Sequence, residues 1–116
     1  MGRNILLTYD RNTLRGYTPE SFLKKIVSLL QDRVVSAWVF GSFNTPRFSH
    51  SSDVDIFIVT ETDVPFIERP LLYDDLLDQF PGLDILVYTP REFEKLTSDP
   101  SPGFWKSAVA EMRQIL

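Results

Sequence analysis

The chain has 116 residues, 43% apolar and 13% aromatic, which suffice for one packed core but not for two domains. Cysteine is absent, which excludes disulfides, thiolate metal sites and a cysteine nucleophile, and the net charge of −4 disfavours strong non-specific binding to nucleic acids. Because the sequence has neither a long apolar run nor a secretory signal, we expect a cytoplasmic protein that is not embedded in a membrane.

The first half of the chain is predicted to form one helix and two strands. Residues 18–20, Thr-Pro-Glu, are typical of a helix start, since threonine caps free amides and proline suits the first helical position. Residues 34–40 are mostly β-branched or aromatic and stop at a Gly-Ser pair, which predicts a buried strand ending in a turn. A polar stretch then separates this strand from a second one at residues 54–59.

The second half is predicted to form a strand between helices. Residues 71–80 suit a helix that is closed by Pro-Gly, and residues 83–88 form a third short strand. Residues 89–92, Thr-Pro-Arg-Glu, have the spacing of a capping box and open a short helix that ends near residue 96. A last helix is predicted from Ser-Pro at 101–102, with an apolar face that runs from Phe104 to the C-terminal residue Leu116.

This order of elements predicts an α/β fold, in which a small mixed sheet of three or four strands is covered by helices. We expect residues 1–116 to form a single domain with its core at 34–88. Residues 1–17 are an N-terminal extension to which the sequence assigns no role.

Three aspartates are the strongest candidates for chemistry. Asp53 and Asp55 are two residues apart at the start of a predicted strand, so both carboxylates point to the same face, and Asp84 begins another strand. At a separation of ~5 Å and an effective dielectric of ~20, each ionised pair would repel by roughly 3 kcal/mol. Such a cluster needs a cation, and all-oxygen ligands favour Mg²⁺ shared with substrate phosphates. Taken singly, each aspartate can also be an ordinary turn residue, and this applies most to Asp84.

The Gly-Ser pair of Gly41 and Ser42 comes directly after a predicted strand. Glycine lets the backbone approach a ligand closely, and the amides after it can point at phosphate oxygens. The pair alone is a weak signal, but Ser42 precedes Asp53 by eleven residues, with a strand on either side. We therefore interpret 41–42 as a phosphate-binding turn beside the acids.

Gly41-Ser42, ten intervening residues, Asp53-Val54-Asp55 and a later strand-borne Asp84 resemble the nucleotidyltransferase superfamily with a DNA polymerase beta-like palm, and the chain length resembles its minimal members. The resemblance covers residues 34–116. It implies that Asp53, Asp55 and Asp84 bind magnesium, two ions in all, and that the third acid also acts as a base. It further implies that the Gly-Ser turn holds the triphosphate of ATP or another NTP, whose nucleoside monophosphate passes to a hydroxyl.

The chain departs from that family after the Gly-Ser pair. Many members continue with a small residue, then Arg and Gly, whereas this chain reads Phe-Asn-Thr-Pro-Arg at 43–47, so Arg47 would contact the phosphates from a shifted position. Minimal members are often antitoxins of a HEPN-type toxin, which implies a protein partner. Two alternatives stay open: a weakly active or inactive module that acts by binding its partner, and a transferase that modifies small molecules such as antibiotics.

Overall fold

The computed structural model describes residues 13–44, 48, 53–100 and 103–116, without the side chains of Ser42 and Asn44. The elements in chain order are α1 (Pro19–Leu30), β1 (Ser36–Phe40), a 3-10 helix (Gly41–Asn44), β2 (Val54–Val59), a second 3-10 helix (Phe66–Tyr73), α2 (Asp74–Gln79), β3 (Leu83–Tyr88), α3 (Pro90–Ser98), α4 (Phe104–Glu111) and β4 (Arg113–Gln114).

Side chains cap α1 and α3 at the starts that the sequence predicted, whereas the start predicted for the last helix, Ser-Pro at 101–102, lies outside the described residues. The Thr18 side chain accepts a hydrogen bond from the Ser21 amide, and the Ser21 hydroxyl accepts one from the Thr18 amide, so α1 begins with a capping box. Thr89 and Glu92 form the same reciprocal pair at the start of α3. These contacts satisfy amides that have no partner within the helix.

Within the described residues, the strands form one four-stranded sheet in the order β3-β2-β1-β4. β1 is antiparallel to both β2 and β4, whereas β2 and β3 are parallel. A parallel pair needs a long crossover, which here is the 3-10 helix 66–73 followed by α2. The prediction of an α/β fold with a small mixed sheet is confirmed.

The sheet has a different core on each face because neighbouring residues of a strand point to opposite sides. One core packs the sheet against α1, and the other packs it against α3 and α4. Ile56 and Ile58 of β2 belong to the first core, while Phe57 and Val59 belong to the second. By the same alternation, Asp55 lies on the face of Phe57, beneath α3 and α4.

The prediction that the last helix runs to Leu116 is wrong. α4 ends at Glu111, Met112 adopts an extended conformation, and β4 pairs with β1 through the register Trp38↔Gln114. The amide of Ala37 also donates to the carbonyl of Leu116 at 3.0 Å. An uncovered β1 edge offers hydrogen bonds that only a strand can use, and this tertiary pairing outweighs helical periodicity.

The helix predicted at residues 71–80 differs in the structure. The helical segment begins earlier, at Phe66, and is a 3-10 helix as far as Tyr73 with Pro70 inside it; α2 follows. A proline removes an amide donor, and the short 3-10 form accommodates that loss more easily than a regular α-helix. No helix within the described ranges is long and apolar enough to cross a bilayer.

Candidate active site at the acidic end of the sheet

The three predicted aspartates lie together at the starts of β2 and β3. In the parallel register Asp55 is opposite Asp84, on strands that run about 4.8 Å apart. Asp53 comes two residues before Asp55, directly ahead of β2, and is exposed, as is Asp84, whereas Asp55 is half-buried. We call the region around these three residues the acidic end.

The pKa of Asp55 is consistent with the placement of the three aspartates close to one another. Burial raises the pKa of Asp55 from its ordinary value of 3.8 to about 6, and the carboxylates of Asp84 and Asp53 raise it further. Burial alone raises the pKa of a carboxyl group, and nearby carboxylates add to that rise. The acidic end is therefore a place where negative charge is crowded and electrostatically costly.

Gly41 closes one side of the acidic end. It follows β1, whose last residue, Phe40, is opposite Asp55, and it has a φ of +77°, which disfavours side chains. A Cβ atom at this position would lie 2.5 Å from Oδ2 of Asp55. The sequence requires glycine here for two reasons, the backbone conformation and the space that the Asp55 carboxylate fills.

The acidic end fits a hard divalent cation by its donor chemistry. All its candidate ligands are carboxylate oxygens, the class that Mg²⁺ prefers. In the part of the chain that the structure describes, however, no group of three or more His, Cys, Asp or Glu side chains is already arranged to hold a metal ion. The backbone thus brings the carboxylates together, and side-chain rotation would have to complete a coordination shell.

The proposed phosphate contacts lie mostly outside the described part of the structure. The backbone of Ser42 belongs to the 3-10 helix after β1, but its side chain is not described, and Arg47 falls outside the described residues. The roles of Gly41, Ser42 and Arg47 in holding a nucleotide remain predictions.

Phe104 lies beside the acidic end and is 54% exposed. The helical pattern favoured a place in the core for it and left a partner interface as the alternative. Its ring centroid is 5.8 Å from that of Phe40 and 6.5 Å from that of Phe57. An amphipathic pattern reports which face of a helix is apolar, but it does not report how much of each side chain the rest of the fold covers.

Comparisons with known proteins bear on the family and the fold of the chain. The family model described as polymerase beta, nucleotidyltransferase matches residues 24–101, which is more than half of the chain. No curated protein gives a significant match.

Solved structures similar to the chain include complexes of toxins with antitoxins. A crystal structure of a toxin–antitoxin with AMP-PNP gives a TM-score of 0.56 at 20% identity, covering 81% of this chain and 72% of the other. A structure of a tri-AMPylated Shewanella oneidensis HEPN toxin in complex with MNT antitoxin gives 0.52 at 20% identity, covering 85% and 72%. At these identities the likeness concerns the fold.

Proposed function

We propose that this chain, which belongs to the polymerase beta nucleotidyltransferase family, transfers a nucleoside monophosphate to a hydroxyl group of a protein or RNA. The group transferred is AMP, and its donor is ATP. The observation that carries the proposal is the register of Asp55 and Asp84 on adjacent strands beside Gly41. It explains why acids far apart in sequence share one place, at an electrostatic cost that a bound cation would offset.

In the proposed reaction, the acceptor oxygen forms a bond to the α-phosphorus while the bond between that phosphorus and the β-phosphate oxygen breaks. Pyrophosphate leaves, and the proton of the hydroxyl passes to a carboxylate. The exposure of Asp84 and its register opposite Asp55 support it as the group that receives that proton. Asp53 and Asp55, with Asp84, would hold Mg²⁺, which supplies neutralisation of the phosphate charge when bound.

The acceptor is proposed to be a protein, and the chain to be the antitoxin of a HEPN-type toxin. The similar structures are toxin–antitoxin complexes, one of them with AMP-PNP and one with a toxin that carries AMP. The acidic end also lies on a sheet face with an exposed neighbour, Phe104, so a second protein can reach it. Positioning of the hydroxyl by that protein would supply much of the rate.

A second function is a module that neutralises its partner by binding alone. It is favoured by one observation: none of the described acidic groups is already arranged for a metal ion. The two functions differ in a growth-rescue assay with the toxin, because Asp55→Ala should abolish rescue by an enzyme and leave rescue by a binding module intact.

The test of nucleotide binding is thermal. Millimolar Mg²⁺ with ATP should raise the melting temperature, because a ligand that binds only the folded state stabilises it by mass action. Asp53→Asn should abolish that rise, while Asp78→Asn, which changes an exposed acid on α2, should preserve it. Label transfer from α-labelled ATP to the co-expressed toxin then tests catalysis. Transfer that persists in Asp53→Asn, or no thermal response in the parent protein, would refute the proposal.

A further inference from the structure

One short surface segment exposes several large apolar side chains. Of the seven large apolar side chains that are exposed within the described residues, four lie on the 3-10 helix 66–73: Phe66 (45%), Ile67 (85%), Leu71 (63%) and Leu72 (45%). Together they leave on the order of 400 Å² of apolar surface, which is the size of the largest apolar patch on a typical monomer, and such patches are often functional. We call these four residues the apolar patch.

Buried contacts hold the patch in place from beneath. Arg69 is only 7% exposed, and its guanidinium donates to the carbonyls of Val64 at 2.8 Å and Val87 at 3.1 Å and to the Glu92 carboxylate at 2.7 Å. These bonds tie the segment to β3 and to the start of α3. A surface that is fixed before binding loses little conformational freedom when a partner docks.

The patch continues into a groove. The ring of Phe66 lies 5.3 Å from that of Tyr88, and both line a groove of about 600 Å³. Its other walls are the apolar Leu96 and Trp105 and three charged residues, two acids and one base: Glu92, Asp99 and Lys95. An apolar patch beside an aromatic-lined groove has the anatomy of an interface core, which receives large anchor residues. A standard interface buries about 800 Å² per partner, so the patch supplies roughly half and the surroundings must supply the rest.

Those surroundings are acidic. Residues 61–78 include six exposed acids, and Asp75 alone among them has an ion-pair partner in the described part of the chain, Arg33. The six are Glu61, Asp63, Glu68, Asp74, Asp75 and Asp78. The only cation in the same range, Arg69, is buried against Glu92. The rim of the patch therefore carries negative charge that the segment itself does not neutralise.

We propose that the apolar patch docks a protein partner that presents an apolar face bordered by Lys and Arg. Two copies of the chain would bring acidic rims together, and like charges facing each other oppose association. Phosphate backbones and anionic lipid surfaces meet the same repulsion. Tyr88 is four residues after Asp84 on β3, about 13 Å along the strand, so the patch is distinct from the acidic end. The proposal holds whether or not nucleotide transfer occurs.

The test uses two labelled amphipathic helical peptides with the same leucine face, one bordered by Lys and Arg and the other by Glu. Fluorescence anisotropy should show that the full chain binds the basic peptide and not the acidic one, and that added salt weakens binding. Ile67→Ser with Leu71→Ser should weaken it about tenfold. Tyr17→Ser removes another exposed aromatic side chain, which packs against Phe80 in the other core, and should leave binding unchanged.

Reversal of the rim tests the charge argument separately. Glu68→Lys with Asp74→Lys keeps the apolar patch and should transfer the preference to the acidic peptide, with folding checked by the melting temperature. Equal binding of both peptides, binding that ignores the Ile67 and Leu71 substitutions, or no binding at all would overturn the proposal. Self-association in sedimentation velocity that Leu71→Ser abolishes would also overturn it, because the occupant would then be a second copy.

Discussion

Replacing Asp55 with asparagine should stabilise the fold at neutral pH while it removes a candidate catalytic group. The folded chain raises the pKa of Asp55 from 3.8 to about 6, mainly through burial and also through Asp84 and Asp53. This rise corresponds to about 3 kcal/mol at full strength, and solvent screening at a half-buried group reduces it to about 1–2 kcal/mol.

The sign of the effect follows from proton linkage. Below pH 3.8 the side chain is protonated in both the folded and the unfolded state, so its favourable contribution to stability is fully present. As pH rises through about 6 the folded state has to ionise a carboxyl group that it disfavours, and that contribution is lost. The free energy of unfolding of Asp55→Asn should therefore nearly equal that of the parent protein at pH 3.5 and exceed it by about 1–2 kcal/mol at pH 8.

Urea unfolding followed by tryptophan fluorescence from pH 3.5 to 8, without divalent cations, measures this difference. Comparing the variant with the parent protein cancels the contributions of other titrating groups, such as Glu92. The Arg69 hydrogen bonds lower the pKa of Glu92, so its contribution to the stability of the fold is lost as pH falls. Asp78→Asn controls for the loss of a surface charge. A pH-independent difference, or an Asp55→Asn protein less stable than the parent at pH 8, would refute the reasoning that the acidic end is crowded.

Two further pairs of variants test the neighbouring contacts. Gly41→Ala and Gly16→Ala both place a side chain at positive φ, which should cost about 1–2 kcal/mol in urea unfolding. Only the new Cβ at 41 also meets Asp55, so Gly41→Ala should cost more than Gly16→Ala and should alone lose the thermal response to Mg²⁺ with ATP; equal responses would contradict this. Arg69→Met leaves buried acceptors unpaired and should lower the free energy of unfolding by about 2–3 kcal/mol. Arg33→Met breaks an exposed ion pair and should lower it by at most about 1 kcal/mol in the same measurement. Similar losses in the two variants would show that Arg69 is not a buried anchor.

The central strands were predictable because their signals are local. β2 and β3 have the predicted bounds, 54–59 and 83–88, since each is a run of β-branched and aromatic residues between turn residues. Their parallel register was not predictable, because it depends on the length and path of the crossover between them. The sequence placed Asp55 and Asp84 on strands, and only the structure places them opposite each other.

The errors in the C-terminal half have the opposite origin. Residues 104–116 keep helical spacing of apolar side chains, but residues 113–114 pair with β1, which lies more than seventy residues earlier in the chain. Likewise Phe104 has the spacing of a core residue but is 54% exposed. Such outcomes follow from long-range packing, which a window of sequence does not contain.

The two proposed sites share β3, and this sets a geometric requirement for the partner. Asp84 begins the strand at the acidic end, and Tyr88 ends it against Phe66 of the apolar patch, on the same face of the sheet. A protein docked on the patch must therefore carry its acceptor hydroxyl about 13 Å from its docking surface to reach the acids. Loss of the patch should raise the KM for that protein with little change in kcat, because docking energy is uniform between bound substrate and transition state. Asp55→Asn should instead lower kcat, and a patch variant that lowers kcat as strongly would show that the two regions do not act separately.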